Sequence, residues 1–173
     1  VTVDIRTAAE LLAAERAAEW AARRAQRDDP LLRAIWREFV DRGGPVALEA
    51  AAAGVPGLVP DAVRGRAAAL DAADLIGLDG DAVRVAYPFT ATPNEYRVIL
   101  PGGRVRYACC AIDALGVAPM LGMPVTVSSR CHWSRAPMVF DVDPAAGPRG
   151  APPGALTWIE RGQGGGDRRS GFL

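Results

Sequence analysis

Tyr107-Ala108-Cys109-Cys110-Ala111-Ile112-Asp113 sets two thiols about one helical turn before a carboxylate, and Cys131-His132 follows at the end of a strand-like segment. All three cysteines and the sole histidine of the chain fall within residues 109 to 132. Such crowding points to soft-metal or nucleophilic thiol chemistry. Residues three or four apart on a helix share a face, so spacing alone lets both Cys109 and Cys110 meet Asp113. A thiol at a helix N-terminus is expected to have its pKa lowered by the unpaired N–H groups and the helix dipole, which raises its thiolate fraction. A partly buried carboxyl one turn further on can hold a proton and donate it. The plainer alternative is two small buried cysteines with Asp113 in a local hydrogen bond, and the pattern leaves both open.

Zinc fits less well. Adjacent cysteines rarely both ligate one tetrahedral ion. Cys131 and His132 share that defect, because neighbours on a strand point to opposite faces. His132 by itself reads as a loop residue with local hydrogen bonds rather than as a ligand or base.

These residues sit in a chain of 173, enough for one compact domain or two small ones, and 50% apolar content can fill a core. Twenty basic residues balance twenty acidic ones, so no general field draws the protein to nucleic acid or an anionic membrane. Every one of the basic residues is arginine, which excludes a lysine Schiff base. No apolar run approaches the roughly 20 residues that span a bilayer. Asp4, Arg6, Glu10, Glu15 and Arg16 interrupt the start where a signal peptide needs an apolar stretch. A cytoplasmic protein with free thiols is the expectation, since an odd cysteine count in a reducing compartment argues against a disulfide framework.

The elements that must position the thiols change character along the chain. Asp4 to about Arg27 carries Ile5, Ala8, Leu11, Leu12 and Ala18 near helical spacing, and Asp28-Asp29-Pro30 closes one long helix. Leu31 to Val40 predicts a second helix with Leu31, Leu32, Ile35, Trp36 and Phe39 on one face. Val46 to Ala53 and Pro60 to Ile76 predict a short and a longer helix around the turn Gly54-Val55-Pro56-Gly57. After the turn Asp79-Gly80-Asp81, the stretch Val83 to Tyr87 alternates like a strand. Helices followed by a ribbon read as a winged helix, but its last helix, Pro60 to Ile76, mixes Arg64 and Arg66 with Asp61, Asp71 and Asp74, so DNA is not the expected partner.

Further on, Tyr96 to Leu100 and Arg104 to Tyr107 form a hairpin around Pro101-Gly102-Gly103, and a short helix is expected from about Ala108 to Leu115. Val125 to Ser129 and Met138 to Val142 predict two more strands joined by the loop 130 to 137. Proline and glycine dominate from Asp143, apart from a strand at Ala155 to Glu160, and Gly162 to Leu173 reads as a flexible tail.

Tyr107 to Leu115, then Pro119-Met120-Leu121-Gly122, then Val125-Thr126-Val127-Ser128-Ser129-Arg130-Cys131 together resemble the core of the organomercurial (alkylmercury) lyases over about residues 84 to 142. The upstream winged-helix reading agrees with the N-terminal domain of that family. The resemblance implies protonolysis of a carbon–mercury bond, with no organic cofactor and with mercury only as substrate and product ion. It casts Cys110 as the thiolate that binds mercury, Asp113 as the carboxyl that carries a proton to the departing carbon, and Cys131 as a packing residue first and a ligand second. It further implies a thiol or a mercuric reductase as the acceptor of Hg(II). The family carries a second catalytic cysteine in a Ser-Phe-Cys-like segment downstream. Here Ser170-Gly171-Phe172-Leu173 resembles the approach to that segment, and no cysteine follows Cys131. A shortened homologue without full activity, a second sulfur from Cys109 or Cys131, and an early end of the reading frame all stay open.

The expected fold is thus α+β: a winged-helix-like helical domain over residues 1–82, a small mixed domain of antiparallel strands and a short helix over 83–161, and a tail over 162–173. The expected function is an organomercurial lyase with no membrane or nucleic-acid partner. The rivals are a non-catalytic protein that captures mercury or another soft ion through Cys109, Cys110 and Cys131, and a winged-helix regulator whose thiols sense metal.

Overall fold

The structure, a computed structural model, describes Ala21 and residues 25–157. Most of the helix expected over Asp4 to Arg27, the tail 162–173 and half of the strand expected at Ala155 to Glu160 lie outside these residues. Ala155–Thr157 are described and belong to no strand.

Asp29 starts the first full helix, α1 (Pro30–Asp41). Its carboxylate accepts from Leu31 N at 2.8 Å and Leu32 N at 3.1 Å, and Pro30 needs no partner at the first position. Arg66 pairs with the same carboxylate, which is almost wholly buried. The helix buries Leu31, Leu32, Ala34, Ile35 and Phe39, the face its spacing predicts. Next come β1 (Val46–Ala47), α2 (Leu48–Ala53) and α3 (Pro60–Ala72). Val46 and Ala47 are therefore strand rather than the start of a helix, paired with Val83 and Ala82.

The helix expected to reach Ile76 stops at Ala72. Asp74 takes a left-handed φ of 54° and Ile76–Asp79 becomes strand β2. Leu75-Ile76-Gly77-Leu78 is a short apolar run that fits either period, and pairing with the next strand decides it. β2 turns through Gly80, at φ 60°, into β3 (Ala82–Ala86).

From β3 the ladder continues without a break into the second half. β4 (Phe89–Thr90), β5 (Arg97–Ile99), β6 (Val105–Ala108), β7 (Val125–Arg130), β8 (Pro137–Asp143) and β9 (Gly147–Arg149) complete a nine-stranded sheet. Its main path runs β1-β3-β4-β6-β5-β7-β8-β9, and every pairing is antiparallel. The α+β class holds, and the alternating stretches of the second half are strands as expected. β4 and β9 escape sequence reading because two or three residues are too few to show a period.

The helical part is seated on the sheet by contacts from α1. Phe39 stacks on Phe89 with ring centroids 6.0 Å apart, both rings fully buried. Trp36 Nε1 donates to Tyr87 O at 2.9 Å. Arg106 on β6 reaches back to the end of α1, donating from Nε to Phe39 O at 2.6 Å and from Nη2 to Val40 O at 2.7 Å and Asp41 O at 2.8 Å. A cation on the last carbonyls satisfies acceptors that the helix leaves open and complements its dipole. β6 leads directly to the thiols, so this clasp ties the helical part to the strand that delivers them.

Candidate active site

Three features of local sequence place the thiols. β6 carries Ala108 into the core opposite Phe89. The chain then bends, and helix α4 (Ala111–Leu121) begins, burying Ala114, Val117 and Ala118 and ending on Gly122 in the left-handed region. Cys110 is the N-cap: its backbone is extended and its sulfur accepts from Asp113 N at 3.4 Å. The helix thus starts after the cysteines rather than at Ala108, because strand pairing holds the chain extended through Ala108.

That shift separates the two thiols. Cys109 N donates to Pro88 O at 3.0 Å and its Sγ to Phe89 O at 3.5 Å, with the residue buried. Cys110 is half-buried, and its Sγ donates to Asp113 Oδ2 at 3.1 Å. Cys110 and Asp113 form a thiol–carboxylate pair, while Cys109 faces β4.

The electrostatics reverse the expected acidity. Burial, then the Asp113 charge, pushes the Cys110 thiol up to about 12, although the N–H groups of Asp113 and Ile112 pull the other way. Burial raises Cys109 as well, followed by the charges of Asp113, Cys110 and Asp74. Loss of solvent and a like charge outweigh the helix start. At neutral pH Cys110 therefore keeps its proton and shares it with Asp113.

Cys131 lies just past β7, in a turn closed by Cys131 N to Ala136 O and Arg135 N to Cys131 O, each 2.8 Å. Its thiol is shifted down, chiefly by the Ser134 hydroxyl, then by the N–H groups of Ser134 and Trp133, with a smaller contribution from Arg135. Arg135 forms a 2.9 Å ion pair with Glu95, tying this loop to the segment before β5. His132 is exposed beside it. Among the described residues no group of three His, Cys, Asp or Glu side chains is placed to hold a metal ion, so Cys109, Cys110 and Cys131 are not assembled into one binding cluster. A surface groove between the helices, lined by Asp29, Leu31, Val55, Leu58 and Arg66 among others, contains no thiol.

Two neighbours of the pair were not singled out from sequence. Tyr96 lies opposite Ala108, whose N–H donates to Tyr96 O at 2.9 Å, and Asn94 brackets both by giving Nδ2 to Ala108 O and taking Tyr96 N, each at 2.8 Å. The hairpin around Pro101-Gly102-Gly103 contains the signal: extending its register by one pair sets Tyr96 across from Ala108.

A family model described as MerB, alkylmercury lyase, matches residues 89–169, a span holding Cys109, Cys110, Asp113 and Cys131. No curated protein matches the sequence. The fold is similar to that in a crystal structure of the mercury-bound form of MerB2, with TM-score 0.60 and 24% identity over 72% of this chain and 59% of that one. At that identity the likeness speaks for the fold, and the chain spans less than two thirds of the length of the matched structure. The segment that builds the thiol–carboxylate pair thus lies inside the stretch, residues 89–169, that is similar to the alkylmercury lyase family.

Proposed function

We propose that the protein takes an organomercurial onto Cys110 and cleaves its carbon–mercury bond by protonolysis through Asp113. The observation that carries this reading is the 3.1 Å contact from Cys110 Sγ to Asp113 Oδ2 inside the family-matched segment. A thiol held up to about 12 does not offer a free thiolate, so the incoming R–Hg–X must displace a proton. Mercury replaces that proton on sulfur as X⁻ departs, and the proton passes to the Asp113 carboxylate. Asp113 then delivers it to the carbon. The electron pair of the carbon–mercury bond becomes the new C–H bond, giving R–H, with Hg(II) left on sulfur and the carboxylate regenerated. Soft sulfur keeps the soft metal and the hard carboxyl handles the proton.

A second reading, mercury capture with little turnover, is supported by the separation of the thiols. Cys109 is buried against Phe89 O, and no metal-holding cluster joins Cys131 to Cys110 among the described residues. One sulfur suffices for binding, whereas bond cleavage gains from the electron donation of two. We read the order α1-β1-α2-α3-β2-β3, with β1 paired to β3, as a winged-helix-like arrangement whose last strand, Ala82–Ala86, joins the sheet of the second half. A supporting role suits it better than DNA recognition, because Arg66 is taken by Asp29 and Arg64 pairs with Asp81. The test is incubation of the Cys131→Ser protein with phenylmercury, following benzene release and protein-bound mercury together. Stoichiometric binding that Cys110→Ser removes, with slow benzene release, is expected. Binding unaffected by Cys110→Ser would sink the assignment.

A further inference from the structure

We propose that Tyr96 is a specificity-determining residue, its ring forming the apolar wall against which the organic group of a mercurial on Cys110 packs; this rests on the carbon–mercury reading above. β5 and β6 pair with Arg97 opposite Tyr107 and Val98 opposite Arg106, and the ladder runs one pair further through Ala108 N to Tyr96 O at 2.9 Å. Tyr96 therefore stands across from Ala108. Cys110 is two residues further along the same chain, just past the end of β6 and at the start of α4, on the chain that leaves the Tyr96–Ala108 pair. The bend at Cys109 turns that residue toward β4, on the other side of β6 from β5.

Independent features fix Tyr96 there. Asn94 clamps its backbone to Ala108, and its side chain is half-buried against the core. Burial raises the phenol's pKa, followed by the charges of Glu95 and Cys110, with Arg135 opposing, so the sulfur and the phenol feel one another and the phenol stays neutral. On the helix side Ile112 is 42% exposed in the first turn of α4, between Cys110 and Asp113 in the chain. The thiol–carboxylate pair is thus flanked by an aromatic ring and a branched alkyl group. The organic group of the substrate leaves as a hydrocarbon with no polar handle, so apolar surface is what can recognise it. Tyr96 should then matter for the carbon substituent and not for the metal.

The test is partition of phenylmercury, methylmercury and inorganic Hg(II) between the protein and an excess of a monothiol, in a Cys131→Ser background so that this partly exposed thiol does not report. Tyr96→Ala should weaken retention of phenylmercury about three- to tenfold, of methylmercury less, and of Hg(II) not at all. Tyr96→Phe should restore phenylmercury retention, and Tyr96→Leu, which keeps bulk without the ring, should fall between. Equal loss for all three ligands, or no loss for phenylmercury, overturns the inference while leaving the mercury reading intact. Failure of the Cys131→Ser parent to retain any mercurial overturns the mercury reading and this inference with it.

Discussion

Cys110 and Cys131 both sit where backbone N–H groups point at sulfur, yet their acidities move in opposite directions. At Cys131 the turn donors and the Ser134 hydroxyl act on a partly exposed thiol and lower its pKa. At Cys110 the same kind of donor, from Asp113 and Ile112, is outweighed by burial and by the Asp113 carboxylate. Backbone donors thus lower a thiol's pKa where solvent still reaches it and no carboxylate faces it, and are outweighed where burial and a carboxylate oppose them. Cys131 is built to be reactive. Burial and the Asp113 carboxylate keep the proton on Cys110.

Removing the burial behind Cys110 should collapse the contrast most strongly. Phe89 stacks on Phe39, and its carbonyl takes the neighbouring Cys109. Phe89→Ala should cost about 3–5 kcal/mol of stability in denaturant unfolding, and the surviving fold should show Cys110 titrating lower. A loss no larger than that of an exposed-site control would mean the stacked pair is not the anchor of the helical part.

In the unchanged protein, alkylation followed by peptide mass spectrometry should rank Cys131 first, Cys110 second and Cys109 last. With Cys110 held up to about 12 and Cys131 below its ordinary 9.0, the Cys131 rate near pH 7.5 should exceed that of Cys110 on the order of 30-fold or more, after allowing for the lower nucleophilicity of the more acidic thiol. Raising the pH from 9 toward 12 should speed Cys110 and leave Cys131 on its plateau. Equal rates at neutral pH would contradict the burial argument.

A smaller change should come from Asp113→Asn. It removes the second-largest cause of the Cys110 shift and leaves burial, the largest, in place. The Cys110 thiol should move down and alkylate faster at fixed pH, by about threefold for each unit of pKa lost once nucleophilicity is counted. A slower rate would mean that Asp113 acts on Cys110 mainly by accepting its proton and not by repelling its anion.

The parts of this comparison legible in sequence are those set by local pattern. Asp29-Pro30 and the spacing of Leu31, Ile35 and Phe39 specify α1, and alternation in Val125 to Ser129 specifies β7. Cys110 and Asp113 were identified by residue type and by resemblance. Legibility fails where long-range pairing decides. Leu75 to Leu78 carries both helical and strand periods, and only β3 resolves it. Ala108 and Cys109 look helical beside Ala111 and Ile112, but pairing with Phe89 and Tyr96 keeps them extended, which is why one thiol and not both turns to Asp113. The direction of the Cys110 shift was missed for the same reason, since burial is a property of the assembled sheet.

The central claim is that Asp113 carries the proton that Cys110 gives up. Hydrocarbon release from phenylmercury, measured under single-turnover conditions alongside bound mercury, tests it most directly in the unchanged protein and in Asp113→Asn. The expected result is mercury bound in both and benzene, released slowly, only where Asp113 is present. Benzene release at equal rates from the two proteins would contradict it.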